Sequence, residues 1–392
     1  MKYLGYDMAD LKINQGLLTA REISNQPDLW LKTYYKFLEE KDNIANYLKK
    51  VLENNDVNII LTGAGSSAFI GETLKGIIQR KFGIITRAIP TTNIITHAED
   101  IFINNGTTLL ISFARSGDSP ESVATIDLAR KYCKNLYELN ITCNSRGKLA
   151  RKESTGNSYV FVLPEESNDM ALAMTGSYTS MLLAGIFISD LANIEKSLSY
   201  VQEMRFYGKL ILGEYRQKLW ELAQRNIDRA VFLGSGPLLG VAQESHLKVQ
   251  ELTSGRVICK FDSFLGFRHG PKAVIDSSTI VFYLLSNDRY VQQYERDLIK
   301  SLKDTVQGTT FVCIGSEAKC PKDSAEEITI TIFEKSNSLP LDYLSVLYVL
   351  PSQLFGFYKS LQLKLFPDFP SKNRIITRVV EGVKIYPRPS TG

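Results

Sequence analysis

In the stretch "VAQESHLKVQELTSG", Glu244, Lys248 and Glu251 fall at i, i+4 and i+7, which puts all three on one face of a helix. Carboxylates and an amine gathered on one face are candidate acid–base groups. On a surface helix the same spacing gives only a weak ion pair, worth about 0.2–0.5 kcal/mol. Here the helix follows a Gly-x-Gly turn and should pack deep, where charged groups need a reason to be. His246 and Gln250 lie off that face. Further on, "FDSFLGFRHGPKAVID" sets His269 ahead of a Gly-Pro turn, in an ordered loop. Histidine titrates near neutrality and can serve as both acid and base. His97 and His246 read as structural histidines.

A second constellation suits an anion. "TLLISFARSGDSPESV" runs from an apolar strand through Arg115, Ser116, Gly117, Asp118 and Ser119 to a helix beginning at Pro120. "VNIILTGAGSS" does the same through Gly65, Ser66 and Ser67. Hydroxyls and free N–H groups at a helix start suit a phosphate, and glycine lets the backbone come close. Ser119 could instead cap the helix that Pro120 starts. Two such loops at equivalent strand ends favour phosphate binding over capping alone. "GAGSSAFIG" is not G-x-G-x-x-G, no acidic residue closes the next apolar run, and no GK[ST] is present. Dinucleotide and Walker-type sites are thereby disfavoured, and a monophosphate is expected.

The elements that must hold these residues follow from periodicity. β-branched runs ending in glycine or serine alternate with helical segments, the pattern of a parallel sheet covered on both faces. The design recurs: Gly63 answers Gly234, an offset of 234 − 63 = 171, and Thr142 answers Ile314, 314 − 142 = 172. Near-constant offset argues for internal duplication. We expect an α/β protein of two tandem doubly wound, flavodoxin-like halves, residues 46–205 and 206–365, with a helical arm at 1–45 and an irregular tail at 366–392. In the arm, Thr19 and Glu22 have capping-box spacing, and Pro27 is expected to break the helix.

Bulk properties narrow the class. The chain has 392 residues, 44% hydrophobic and 22% charged, with net charge +4, so no polyanion-binding field is implied and nucleic acid is not an expected partner. Five cysteines without CxxC spacing, Cys133, Cys143, Cys259, Cys313 and Cys320, offer no disulfide frame or zinc site. No secretory segment opens the chain, and "MLLAGIFI" is too short to span a bilayer. A cytoplasmic protein without membrane partner, cofactor or metal is expected.

Together "GAGSS", "RSGDSPES", "KVQEL" and "RHGP" resemble the sugar isomerase (SIS) family, including the isomerase half of glucosamine-6-phosphate synthase. "SFARSGDSPESV" and "RVVEGVKIYP" look like its AgaS-type subgroup, described as galactosamine-6-phosphate deaminase or tagatose-6-phosphate ketose/aldose isomerase. The resemblance implies a sugar-phosphate substrate, gripped by Ser67, Ser116 and Ser119 with the backbone around Arg115, beside Ser66, Gly65 and Gly117. It puts Met174 and Thr175 along the sugar chain and makes Glu251 the carboxylate that moves the C1/C2 proton. Lys248 becomes the amine beside it and Glu244 a further carboxylate. His269 would open the ring, reaching across from a second subunit, which implies a homodimer or higher oligomer. Gln250 stands where the synthase has a lysine, and only Lys372 or Arg374 could answer the synthase's tail lysine.

With a hydroxyl at C2 these steps give aldose–ketose isomerisation; with an amine they give ketose and ammonia. The synthase draws ammonia from glutamine through an N-terminal cysteine domain, for which the arm here is too short. Release of ammonia is therefore the expected direction, plain isomerisation the nearer rival, and a non-catalytic sugar-phosphate sensor the more distant one.

Overall fold

Two five-stranded sheets, wholly parallel, organise the chain. The first contains β1 (Val57–Thr62), β2 (Thr86–Ala88), β3 (Thr107–Ala114), β4 (Asn135–Thr142) and β5 (Ser158–Val162), in the order β2-β1-β3-β4-β5. The second contains β6 (Arg229–Gly234), β7 (Ile258–Asp262), β8 (Thr279–Leu284), β9 (Thr310–Gly315) and β10 (Glu327–Thr331), in the order β7-β6-β8-β9-β10. The order is the same in both, and it places the switch point beside the first strand of each, where α/β proteins hold ligands. Every residue of β3 and β8 is buried, as central parallel strands require. The computed structural model describes residues 1–102, 106–151, 156–305, 309–315, 327–331, 339–371, 373, 375–380 and 382–387. Lys372, Arg374 and Cys320 lie outside them.

Six helices matter for the site: α1 (Leu17–Glu39), α2 (Ser66–Phe82), α3 (Pro120–Tyr132), α4 (Gly176–Ser189), α5 (Pro237–Leu252) and α6 (Arg289–Thr305). All of α4 is buried, which explains why "MLLAGIFI" is apolar on every side. Among the described residues no helix is long and apolar enough to cross a membrane. Helices α2 and α5 each follow the first strand of their sheet, and they pack against one another antiparallel. A Cβ on Gly240 would fall 2.3 Å from Thr73 Oγ1 and 2.5 Å from Thr73 N, so glycine is what lets α5 lie this close to α2. That contact carries the second half's helix to the strand ends of the first.

Three expectations are corrected. Pro27 does not break the helix; α1 runs through it. The carbonyl of Ile23, which loses its i+4 donor to the proline ring, takes the Gln26 side-chain amide instead at 3.3 Å. Nor do Thr19 and Glu22 form a capping box. Asp368, from the far end of the chain, accepts from Leu18 N at 3.2 Å and from Thr19 N and Oγ1 at 2.8 Å each. Glu22 is turned to Met170 N and Ala171 N. Finally, Cys313 is disulfide-bonded, whereas Cys133, Cys143 and Cys259 are free.

Candidate active site

The turn from β1 to α2 is tight because Gly63 has no side chain: a Cβ there would meet the Ser67 backbone at 2.6 Å. Gly65 adopts φ 55°, ψ −128°, a conformation costly for other residues, and faces open space. Ser66 and Ser67 then start α2, both buried. Ser66 Oγ donates to Glu244 Oε1 at 3.1 Å, and Ser67 Oγ lies 4.0 Å from the Met174 sulfur. After β3, Gly117 takes φ 68° with Thr142 Oγ1 close to where a Cβ would stand. Ser116 Oγ accepts from Asp118 N at 3.2 Å, and Asn144 Nδ2 holds the Ser116 carbonyl at 2.9 Å. The N–H groups of Ser66, Ser116 and Gly117 donate to no described residue. They are the donors available to an anion at this end of the sheet.

Ser119 is placed differently. Its hydroxyl accepts from Ser122 N at 3.2 Å and donates to Ser122 Oγ at 2.7 Å, capping α3 ahead of Pro120. Arg115 also turns away from the loop. Its guanidinium donates to the carbonyls of Ala171 (3.2 Å), Leu172 (3.0 Å) and Arg378 (2.6 Å). Burial is the main influence on it and lowers its pKa. Thr175 gives its N–H to Asp169 at 2.7 Å and its hydroxyl at 3.2 Å, so it closes the start of α4 rather than facing outward.

Across from these loops, α5 carries the acidic and basic face that its spacing foretold. Lys248 is 1% exposed and Glu244 fully buried, so this is no surface ion pair. Lys248 Nζ stands 2.6 Å from Glu251 Oε2 and 3.4 Å from Glu244 Oε1. Burial works against its charge, but the two carboxylates prevail and raise its pKa. Burial pushes the Glu244 carboxyl up to about 7; Lys248 opposes the shift and Glu251 adds to it. Glu244 Oε2 has no partner among the described residues. Glu251 keeps 23% of its side chain exposed at the end of the helix. A continuous path thus runs from Ser66 through Glu244 and Lys248 to Glu251.

Among the described residues no hydrogen bond or ion pair joins His269 to this group. It is exposed beyond the short helix Phe264–Phe267, next to Gly270 at φ 111°. His246 is held between the rings of Phe69 and Phe261, at 6.0 and 4.8 Å, as a structural histidine. Among the described residues no group of three His, Cys, Asp or Glu side chains is arranged for a metal ion.

Three residues that were not site candidates in the sequence frame the site. Asp169 accepts from Thr175, Gly176 and Ser177 N–H groups and so caps α4 from seven residues back. Glu22 holds Met170 and Ala171, its carboxyl raised to about 8 by burial and then by Asp169. Arg378, from "RVVEGVKIYP", bonds Asp169 O and Asn168 Oδ1, each at 2.8 Å. The tail phrase gave a signal as part of a subgroup resemblance, and Glu22 gave one only for a cap it does not form. An aspartate placed well before a helix has no local pattern that marks it as a cap.

Paired parallel sheets with a hydroxyl-lined strand end facing a buried Glu–Lys–Glu helix define the SIS class of sugar isomerases. No family model matches the chain. It is 39% identical over 373 residues, 94% of this chain and 92% of the other, to D-galactosamine-6-phosphate deaminase AgaS of Shewanella sp. (strain ANA-3). It is 33% identical to D-galactosamine-6-phosphate deaminase AgaS of Escherichia coli, covering 95% and 96% of the two chains. Among solved structures, one from Clostridium novyi NT, proposed as a tagatose-6-phosphate ketose/aldose isomerase, superposes with a TM-score of 0.95 at 36% identity, over 99% and 100% of the chains. Tagatose-6-phosphate ketose/aldose isomerase from Escherichia coli gives 0.85 at 31%, over 98% and 99%. The chain belongs to the AgaS family of SIS-type sugar isomerases, and it is an enzyme.

Proposed function

We propose that this enzyme converts galactosamine 6-phosphate to tagatose 6-phosphate and ammonia. The observation that supports the reading is the path from Ser66 to Glu251, which joins the strand-end loop of one half to the carboxylates of the other. The N–H groups of Ser66, Ser116 and Gly117, with the hydroxyls of Ser67 and Ser116, bind the phosphate and fix the far end of the sugar. Ser119 contributes as the cap that fixes the loop, and Arg115 by holding it to segment 168–172.

Once the ring has opened to the aldehyde, Glu251 takes the proton from C2. The C–H electron pair becomes the C1–C2 double bond, and the carbonyl oxygen gains a proton. Lys248 Nζ, 2.6 Å from Glu251 Oε2, faces the charge developing on substrate. Return of the proton to C1 leaves a ketimine at C2; water adds there and ammonia departs. His269, exposed in its own chain, acts on the ring of substrate bound to a second copy, in a homodimer or larger assembly.

The test is to supply galactosamine 6-phosphate and glucosamine 6-phosphate and follow free ammonia. Ammonia from the galacto substrate is expected. The similarity to structures named for ketose/aldose isomerisation keeps one rival: interconversion of tagatose 6-phosphate with no ammonia from either amino sugar would establish plain isomerisation. Mixing Glu251→Gln with His269→Ala chains tests sharing. Recovered activity is expected, and none would place both roles in one subunit.

A further inference from the structure

Beyond residue 366, Arg378 is fastened to segment 168–169, and Arg115 reaches the Arg378 carbonyl. Arg378 donates from Nε to Asp169 O and from Nη2 to Asn168 Oδ1, at 2.8 Å each. Its own carbonyl accepts from Arg115 Nη2 at 2.6 Å, while Arg115 Nη1 reaches Ala171 O and Leu172 O. Segment 168–172 is therefore clipped from the tail side by Arg378 and from the phosphate-loop side by Arg115. It leads directly to Met174, whose sulfur lies against Ser67, and to Asp169, whose carboxylate fixes the start of α4. Among the described residues, the two guanidiniums donate to neutral oxygens. Bonds from a charged donor to neutral oxygens are weaker than bidentate carboxylate pairs.

We propose that Arg378 is a positioning residue for the reaction: without touching substrate, it holds segment 168–172 and Arg115 so that Met174 stays against Ser67 and the phosphate loop stays formed. This rests on the phosphate-site reading above, yet one consequence does not. Cys143 sits behind the clip, 3% exposed, its thiol pushed up to about 12 by burial, with Asp169, Arg115 and Arg378 as its charged neighbours. Whether the clip is closed can be read from that thiol with no substrate present.

The experiment compares wild type with Arg378→Ala and Arg378→Lys in the full chain. Labelling of Cys143 by a small maleimide is followed peptide by peptide, beside urea unfolding and steady-state kinetics. Expected for Arg378→Ala is at least tenfold faster labelling of Cys143 with Cys133 unchanged, and a KM for sugar phosphate raised at least fivefold. Its kcat should change less than twofold, and Arg378→Lys should recover part of both effects. Loss of fold alone would instead lower kcat and the urea midpoint together and expose Cys133 as well. If Arg378→Ala does not fold, Arg378→Gln takes its place under the same criteria. Cys143 labelling at the wild-type rate would overturn the proposal whatever the turnover. Faster labelling with unchanged KM would overturn the positioning role. If the chain proved to have no deaminase activity, the labelling result would still stand and only the reaction would need reassignment.

Discussion

The two halves share one scaffold and differ in what they leave unsatisfied. Gly65 and Gly236 start their helices with nearly the same backbone angles, φ 55°, ψ −128° and φ 57°, ψ −126°. Ser116 and Ser286 each stand two residues past a central strand, and each accepts from the N–H of an aspartate two residues on, at 3.2 and 3.1 Å. There the likeness ends. In the second half both oxygens of Glu295 take the Ser286 N–H, at 3.2 and 3.1 Å, and burial pushes that carboxyl up to about 7. Pro237, which has no N–H, and Leu238 stand where the first half has Ser66 and Ser67. One half keeps its strand-end donors open; the other closes them with its own carboxylate and spends its helix on Glu244, Lys248 and Glu251. The two sheets share one strand order, and what differs is which donors are filled.

Several changes would break or sharpen that contrast. The largest effect is expected at the joint between the halves. Lys248→Met strands two carboxylates around an apolar chain; removing one partner of a buried ion pair costs about 3–5 kcal/mol. Urea unfolding should show a loss of that size, and a loss under about 1 kcal/mol would mean the group is less buried than described. Next come the paired turns. A Cβ on Gly63 meets the Ser67 backbone at 2.6 Å, and one on Gly234 meets Leu238 O at 2.2 Å. Gly63→Ala and Gly234→Ala should each cost about 1–3 kcal/mol. Only Gly63→Ala should weaken sugar-phosphate binding in calorimetric titration, by roughly tenfold. Equal weakening by both would erase the distinction between the halves.

The smallest effect concerns pH. Glu244 occupies the place of Thr73 in the first half (244 − 171 = 73). Burial raises its carboxyl to about 7, so the proton is held below that pH and a negative charge appears beside Ser66 only above it. Affinity for sulfate, which does not titrate in this range, should therefore fall between about pH 6 and 8, by roughly threefold to tenfold. Glu244→Gln should flatten the dependence. A slope unchanged in that variant would assign the titration to another group.

What could be read from sequence, and what could not, divides by distance along the chain. Helical periodicity alone brought Glu244, Lys248 and Glu251 to one face. Strand-end loops converge in any parallel sheet, so Ser66 and Ser116 were legible too. The frame around them was not. Arg378 meets Asp169 across 209 positions, and Thr19 meets Asp368 across 349. At Thr19 and Glu22 the local spacing matched a capping box, but remote partners took both residues. At Pro27 a neighbouring side-chain amide offset the missing donor, which no breaker rule foresees. Ser119 and Arg115 show the same limit: capping by Ser119 was one of two readings, and nothing local foretold that the Arg115 side chain would hold carbonyls of segment 168–172.

The account stands or falls on Glu251 as the group that moves the proton while the opposite half holds the phosphate. The direct measurement is Glu251→Gln assayed for turnover and, by calorimetry, for binding of galactosamine 6-phosphate. Turnover should fall about 10²–10⁴-fold, with affinity within roughly threefold of wild type. Turnover retained within about tenfold, or affinity lost together with it, would contradict that division of work.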